Sequence, residues 1–240
     1  MNSSKKIRLL TRLAILVATI FLLSNTPLGY LSIGPIAATT IQIPVIIGAS
    51  LLGPLPGAIL GFFFGLSALI KVLTVPGADA VATAILQYSP FTYLLICMIP
   101  RILMGLLSGL LANALKKLTE KRSSKNTLAN SILRYGVTGF TGSMLNTVFY
   151  LGSLWMLASQ VRATVYSIDI SAVGGMVMTV AVTAGIPEAI VSALIVTTVC
   201  KAMEVIFRRQ PAPKHRYKMT PSVLPKGSSF TLYQDQGLLL

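Results

Sequence analysis

The strongest limit on what this chain can fold into is the length of its uncharged apolar runs. LAILVATIFLL (13–23) and AILGFFFGLSALI (58–70) are two of several such stretches. A water-soluble domain carries roughly 25% charged residues to cover its surface; this chain of 240 residues carries 11%, and 54% of it is hydrophobic. That balance excludes a disordered chain, a disulfide scaffold and a conventional water-soluble enzyme. It fits an integral membrane protein.

The charge is lopsided, with 20 Lys and Arg against 6 Asp and Glu, a net of +14. In a soluble protein this excess would point to nucleic acid. Here the basic residues fall into three blocks: Lys5, Lys6, Arg8 and Arg12; Lys116, Lys117, Lys121, Arg122 and Lys125; and Lys201, Arg208, Arg209, Lys214, Arg216, Lys218 and Lys226. The blocks have no interleaved aromatics and no nucleic-acid motif, so no nucleic-acid partner is expected. Basic loops stay on the cytoplasmic side, which puts the N-terminus, the 116–127 loop and the C-terminus inside.

A span needs about 20 apolar residues. The first candidate is 8–24. Its basic start resembles a signal peptide, but no small-x-small cleavage site precedes Pro27, so a retained span is expected. Residues 25–41 carry no charge and are broken by Pro27, Gly29, Gly34 and Pro35, which reads as an external loop. The apolar runs 42–53 and 57–74 are divided by Gly53-Pro54-Leu55-Pro56-Gly57, a turn signal. The first is short for a span unless protein surrounds it. Residues 75–90 read as an external connection with room for one helical turn. Further spans are expected at 91–115, 127–157 and 186–207. Residues 170–184 are too short for a crossing, and a seventh span would put the basic tail outside, so a re-entrant or capping segment is expected there. The expected fold is an all-α integral membrane protein, a six-transmembrane-helix bundle with both termini cytoplasmic. Residues 1–208 would form the membrane domain and 209–240 a flexible basic tail.

Little conventional chemistry is available. Cys97 and Cys200 lie in apolar runs without CxxC spacing, and His215, the one histidine, sits in the tail; no metal site or catalytic triad can be assembled from them. No GxxxxGK[ST] motif grips a nucleotide. Small residues four apart (Ala14 and Ala18; Gly57, Gly61 and Gly65; Gly105 and Gly109) make flat helix strips that allow close backbone approach. For the glycines, packing inside the bundle is the better reading.

Ionisable groups inside a bilayer are costly and mark function. Lys71 and Arg134 are near enough to span ends to snorkel. Arg101 is about ten residues into its span, ~15 Å at 1.5 Å per residue, beside Pro100. It needs a carboxylate, carbonyl dipoles or an anionic ligand. Glu188, opening the last span behind Pro187, is the obvious protein counter-ion, and a structural ion pair and a clamp for a substrate carboxylate are equally open readings. Ser143, Asn146, Tyr150 and Ser153 share one helix face. Thr39, Thr40 and Gln42 bring hydrogen-bonding side chains to the start of the second span, and Tyr88, Tyr93 and Trp155 lie near the outer boundary. These groups gather in the external half, as a solute pocket open to the outside would require.

The segments GPIAATTIQIPVIIGASLLGPLPGAILGFFFG (34–65), PRILMGLLSGLL (100–111), GSMLNTVFYLG (142–152) and GIPEAIVSALIV (185–196) resemble the S component of energy-coupling factor (ECF) vitamin transporters, most closely the pantothenate-type members. The resemblance implies six helices and an external pocket capped by the loops after the first, third and fifth. It further implies a coupling-subunit surface at Ala14 and Ala18, and ligand-pocket positions at Arg101, Asn146 and Glu188, beside the pocket-wall candidates Thr39, Thr40, Gln42, Tyr93 and Tyr150. Gln42 departs from the pattern, standing where a His is expected. By this resemblance the chain is a non-enzymatic vitamin-capturing subunit in a bacterial plasma membrane. It would need no cofactor of its own, and would work with a transmembrane coupling subunit and two ATPases that use the ATP. Pantothenate suits one Arg for a carboxylate with Asn, Thr and Gln for amide and hydroxyls. Folate or another water-soluble vitamin remains an alternative, as does a stand-alone secondary carrier, although no inverted repeat relates 1–115 to 116–207.

Overall fold

A computed structural model describes residues 3–26, 29–33, 36–75, 80–122, 128–166, 169, 174–175 and 178–209. The fold is helical: α1 (Ser3–Ser24), α2 (Gln42–Leu52), α3 (Pro54–Thr74), α4 (Ala80–Tyr88), α5 (Pro90–Arg122), α6 (Leu128–Tyr166) and α7 (Ile186–Arg209). Among the described residues, four stretches are long and apolar enough to cross a membrane: Lys6–Ser24, Pro54–Thr74, Pro90–Thr119 and Met178–Ile206. At 39 residues α6 exceeds the length of a crossing, with its apolar character diluted by the Ser143–Asn146–Tyr150 face. The 11-residue α2 is too short to span on its own, but every residue from Gln42 to Ser50 is buried, so other helices rather than lipid surround it.

Three local features depart from the sequence expectation. Within 25–41, expected as a loop, Tyr30–Ile33 (β1) and Ile36–Thr39 (β2) pair antiparallel, with Tyr30 opposite Thr39 and Ile33 opposite Ile36. Backbone groups near a bilayer must find partners, and this pairing supplies them within the segment. The 75–90 connection contains the nine-residue α4, packed on α5 and α6. The segment before the last span is helical from Met178 and enters α7 through a π-turn at Ala181–Gly185. It is therefore an extension of α7; residues 170–173 and 176–177 of the expected re-entrant segment lie outside the described residues, as does the tail beyond Arg209.

The most extensive pairing is α3 on α5, and glycine makes it possible. A Cβ on Gly57 would strike the Gly105 carbonyl, and one on Gly61 the Arg101 carbonyl; at Gly65 it would lie 2.7 Å from the Cys97 carbonyl. Gly57, Gly61 and Gly65 thus form a strip that lets α5 lie backbone to backbone on α3. Gly53, at φ 103°, allows the reversal from α2 into α3 with a single linking residue. α1 lies at the periphery: Ile20 is buried and Leu13, Leu16, Val17 and Leu23 pack on the core of α2 and α3. Ala14 and Ala18 on its other side are exposed.

The hairpin, α4 and the π-turn gather at the end of the bundle where α1, α3 and α6 finish and α2, α5 and α7 begin. Cationic side chains close helix ends. Lys71 Nζ donates to the Ser24 carbonyl at the end of α1 (3.2 Å). Arg134 Nη2 reaches the Ser50 carbonyl near the end of α2 at 3.4 Å, with its guanidinium 4.7 Å from the Tyr135 ring. It meets a late-helix carbonyl, where a cation is favoured.

Candidate functional site

Arg101 is held by a defect that its neighbour creates. Pro100 lacks an N–H, which leaves the Ile96 carbonyl without its helical donor. Arg101 Nη1 donates to that carbonyl at 2.6 Å. The guanidinium carbon stands 4.2 Å from the Tyr150 ring centroid and 5.4 Å from that of Phe64, positions worth ~2 kcal/mol or more where water is excluded. Arg101 is only 7% exposed, and its Nε is buried without a partner.

Of the two readings of Arg101, the Arg101–Glu188 ion pair does not form: among the described residues no carboxylate lies within ion-pair distance of Arg101. Glu188 is engaged elsewhere. Its Oε1 accepts from Thr39 Oγ1 at 2.5 Å and from Gln42 Nε2 at 2.6 Å. Gln42 Nε2 donates further to Ser143 Oγ at 2.6 Å. One buried cluster therefore ties the hairpin end, α2, α6 and α7 together, with Glu188 as its acceptor. Gln42 is fully enclosed, and its Oε1 has no partner.

Asn146 lies on α6 between these two groups, one turn from Ser143 and one from Tyr150. It is 8% exposed, and its Oδ1 is buried without a hydrogen bond. Leaving a buried polar atom unmet costs ~1–3 kcal/mol, so three such atoms around one helix face (Arg101 Nε, Asn146 Oδ1 and Gln42 Oε1) are a costly arrangement unless a solute uses them. A site with one guanidinium and several amide and carboxylate oxygens can clamp an anion at one end and accept hydrogen bonds at the other.

The remaining sequence candidates take different places. Tyr93 is buried in an apolar cluster with Ile85, Ile96, Cys97 and Leu154, against which Tyr150 packs. Enclosed there at 3% exposure, it backs the site behind Tyr150. Tyr88 and Trp155 are exposed. Thr40 closes the hairpin onto α2 through its backbone, with its N–H donating to the Gly29 carbonyl and its own carbonyl accepting from Ile43. Ser153 donates to the Tyr150 carbonyl of its own helix and leaves the polar stripe. Phe64 was missed by the sequence reading. Its one signal is its place beside Gly65 on the strip that faces Arg101.

Residues 8–200 match the family model of the ECF transporter substrate-specific component. The pantothenic acid transporter PanT of Lactococcus lactis subsp. cremoris (strain MG1363) is 32% identical over 135 residues, which cover 51% of this chain and 58% of that protein. The aligned region thus spans little more than half of either one. The apolar helices and the family together make this a multi-pass protein of the bacterial plasma membrane, of a transporter family and not an enzyme family. The chain belongs to the substrate-specific component family of ECF transporters.

Proposed function

We propose that this protein captures pantothenate from the external side of the membrane for an ATP-dependent ECF importer. Six crossings are formed by α1, α2, α3, α5, α6 and α7, with both termini cytoplasmic, and residues 209–240 are a basic cytoplasmic extension. The chain carries out no catalysis and holds no cofactor. Import depends on a transmembrane coupling subunit and two ATPases, and Ala14 and Ala18 on the exposed side of α1 belong to the docking surface for the coupling subunit.

The observation that carries this reading is Arg101. A guanidinium buried three turns into α5, stacked on Tyr150 and with no carboxylate partner among the described residues, suits the carboxylate of a small solute. A charge-assisted hydrogen bond there is worth ~1.5–3 kcal/mol. Asn146 supplies an acceptor for the vitamin's central amide N–H. The relative named for pantothenic acid supports the choice of vitamin. The test is direct binding to the protein purified in detergent, with mass spectrometry of any co-purified small molecule. Arg101→Ala is expected to weaken pantothenate binding by more than tenfold. Unchanged affinity in a folded variant makes Arg101 structural and removes the reading's main support.

A further inference from the structure

We propose that Gln42 and Glu188 make the end of the site opposite Arg101 an acceptor end, which selects a ligand with a neutral hydroxyl there and rejects a second anion. The inference rests on the assignment of this site to pantothenate and adds to it the residues that discriminate.

The geometry comes from one face of α6. Tyr150 marks the guanidinium end, with Arg101 at 4.2 Å, and Ser143 marks the other, with Gln42 at 2.6 Å. The two are seven residues apart, or ~10 Å along a helix rising 1.5 Å per residue, and Asn146 lies between them. At the Ser143 end, Gln42 Nε2 gives its hydrogens to Ser143 and Glu188. Because a carboxylate oxygen accepts, this also fixes which way round the amide sits. Thr39 gives Glu188 its hydroxyl. With the Gln42 amide and the Thr39 hydroxyl committed, Gln42 Oε1 and Asn146 Oδ1 are left as unmet buried acceptors beside the Glu188 carboxylate, with the Ser143 hydroxyl accepting from Gln42. At the guanidinium end, the unmet group is the donor Nε of Arg101.

Such a site is dipolar. It favours a ligand with an anion at one end and hydrogen-bond donors about 10 Å away, and pantothenate has that form: a carboxylate, a central amide and terminal hydroxyls. Phosphorylating the terminal hydroxyl would remove the donor and place a dianion against an unmet carbonyl oxygen and a carboxylate. Like charges brought together out of water are strongly disfavoured, and specificity built on such repulsion does not depend on a tighter fit to the chosen ligand.

The test compares pantothenate with its 4′-phosphate on the full-length protein in lipid nanodiscs by calorimetry. Wild type is expected to bind the phosphate ester at least about 100-fold more weakly. Glu188→Gln keeps an oxygen for Thr39 to bond, and it is expected to narrow that ratio by about tenfold or more. Thr39→Val loosens the hairpin but keeps the carboxylate, and it should still reject the ester. Three results would overturn the proposal: near-equal wild-type affinities (decisive whether or not the variants fold), an unchanged ratio in folded Glu188→Gln, or a Thr39→Val that relaxes as much as Glu188→Gln. Wild type that binds neither compound refutes the pantothenate assignment itself, and this inference with it.

Discussion

Replacing Gly61 by alanine tests the packing that holds Arg101. A methyl at Gly61 would overlap the Arg101 carbonyl oxygen, lie 2.7 Å from its carbon and come within 3.0 Å of Ile102 Cα. All three are backbone atoms, so no rotamer change relieves the clash. α3 and α5 must part until that carbon is back near the ~3.5 Å of ordinary contact, along the whole strip from Gly57 to Gly65. Overpacking of this kind costs ~1–3 kcal/mol, partly offset by the ~1 kcal/mol better helix propensity of alanine. At ~2–4 °C per kcal/mol, Tm should fall by several degrees. The turn displaced is the one that carries Arg101, so pantothenate affinity should fall with it. Gly152→Ala on α6 is the control: nothing lies within 4 Å of the added carbon, so propensity alone acts and Tm should hold or rise slightly. Thermal unfolding in detergent, read with and without pantothenate, separates the two. Equal melting temperatures for both variants, or a Gly61→Ala protein with native stability and affinity, would refute the claim that this strip sets the position of Arg101.

Asn146→Ala should lower pantothenate affinity in equilibrium binding while membrane accumulation stays normal, because its Oδ1 has no protein partner to lose; a variant that fails to accumulate makes Asn146 a helix-to-helix contact instead. Replacing Ala14 and Ala18 together by leucine should abolish ATP-dependent uptake by the complete transporter and leave ligand binding by the isolated chain intact, since both alanines are exposed and bulk there blocks close helix approach in lipid. Normal uptake by that double variant would mean the strip faces lipid, whereas lost binding would place it in the bundle's own packing.

Much of the fold could be read from hydropathy and charge. Spans are long, and a run of about 20 apolar residues has few alternatives in water or lipid, so the helices appear close to where composition puts them. The depth of Arg101 and the shared face of Ser143, Asn146 and Tyr150 also follow from local periodicity. The hairpin could not be read in this way. Two strands of four residues carry almost no periodic signal, and they exist through the antiparallel pairing of Tyr30–Ile33 with Ile36–Thr39.

The chain by itself therefore determined four stretches long and apolar enough to cross a membrane, where the basic residues fall, and that a guanidinium would be buried within an apolar helix. Tertiary structure alone decided what that guanidinium meets. Opposite charge suggested Glu188, yet the carbonyl freed by Pro100 and two aromatic rings take Arg101, while Thr39 and Gln42, 149 and 146 residues away in sequence, take Glu188. Attraction between two charges says that each needs a partner. Which partner each finds depends on helix packing, here on glycines that set α5 directly against α3 and on a hairpin that brings Thr39 to the start of α7.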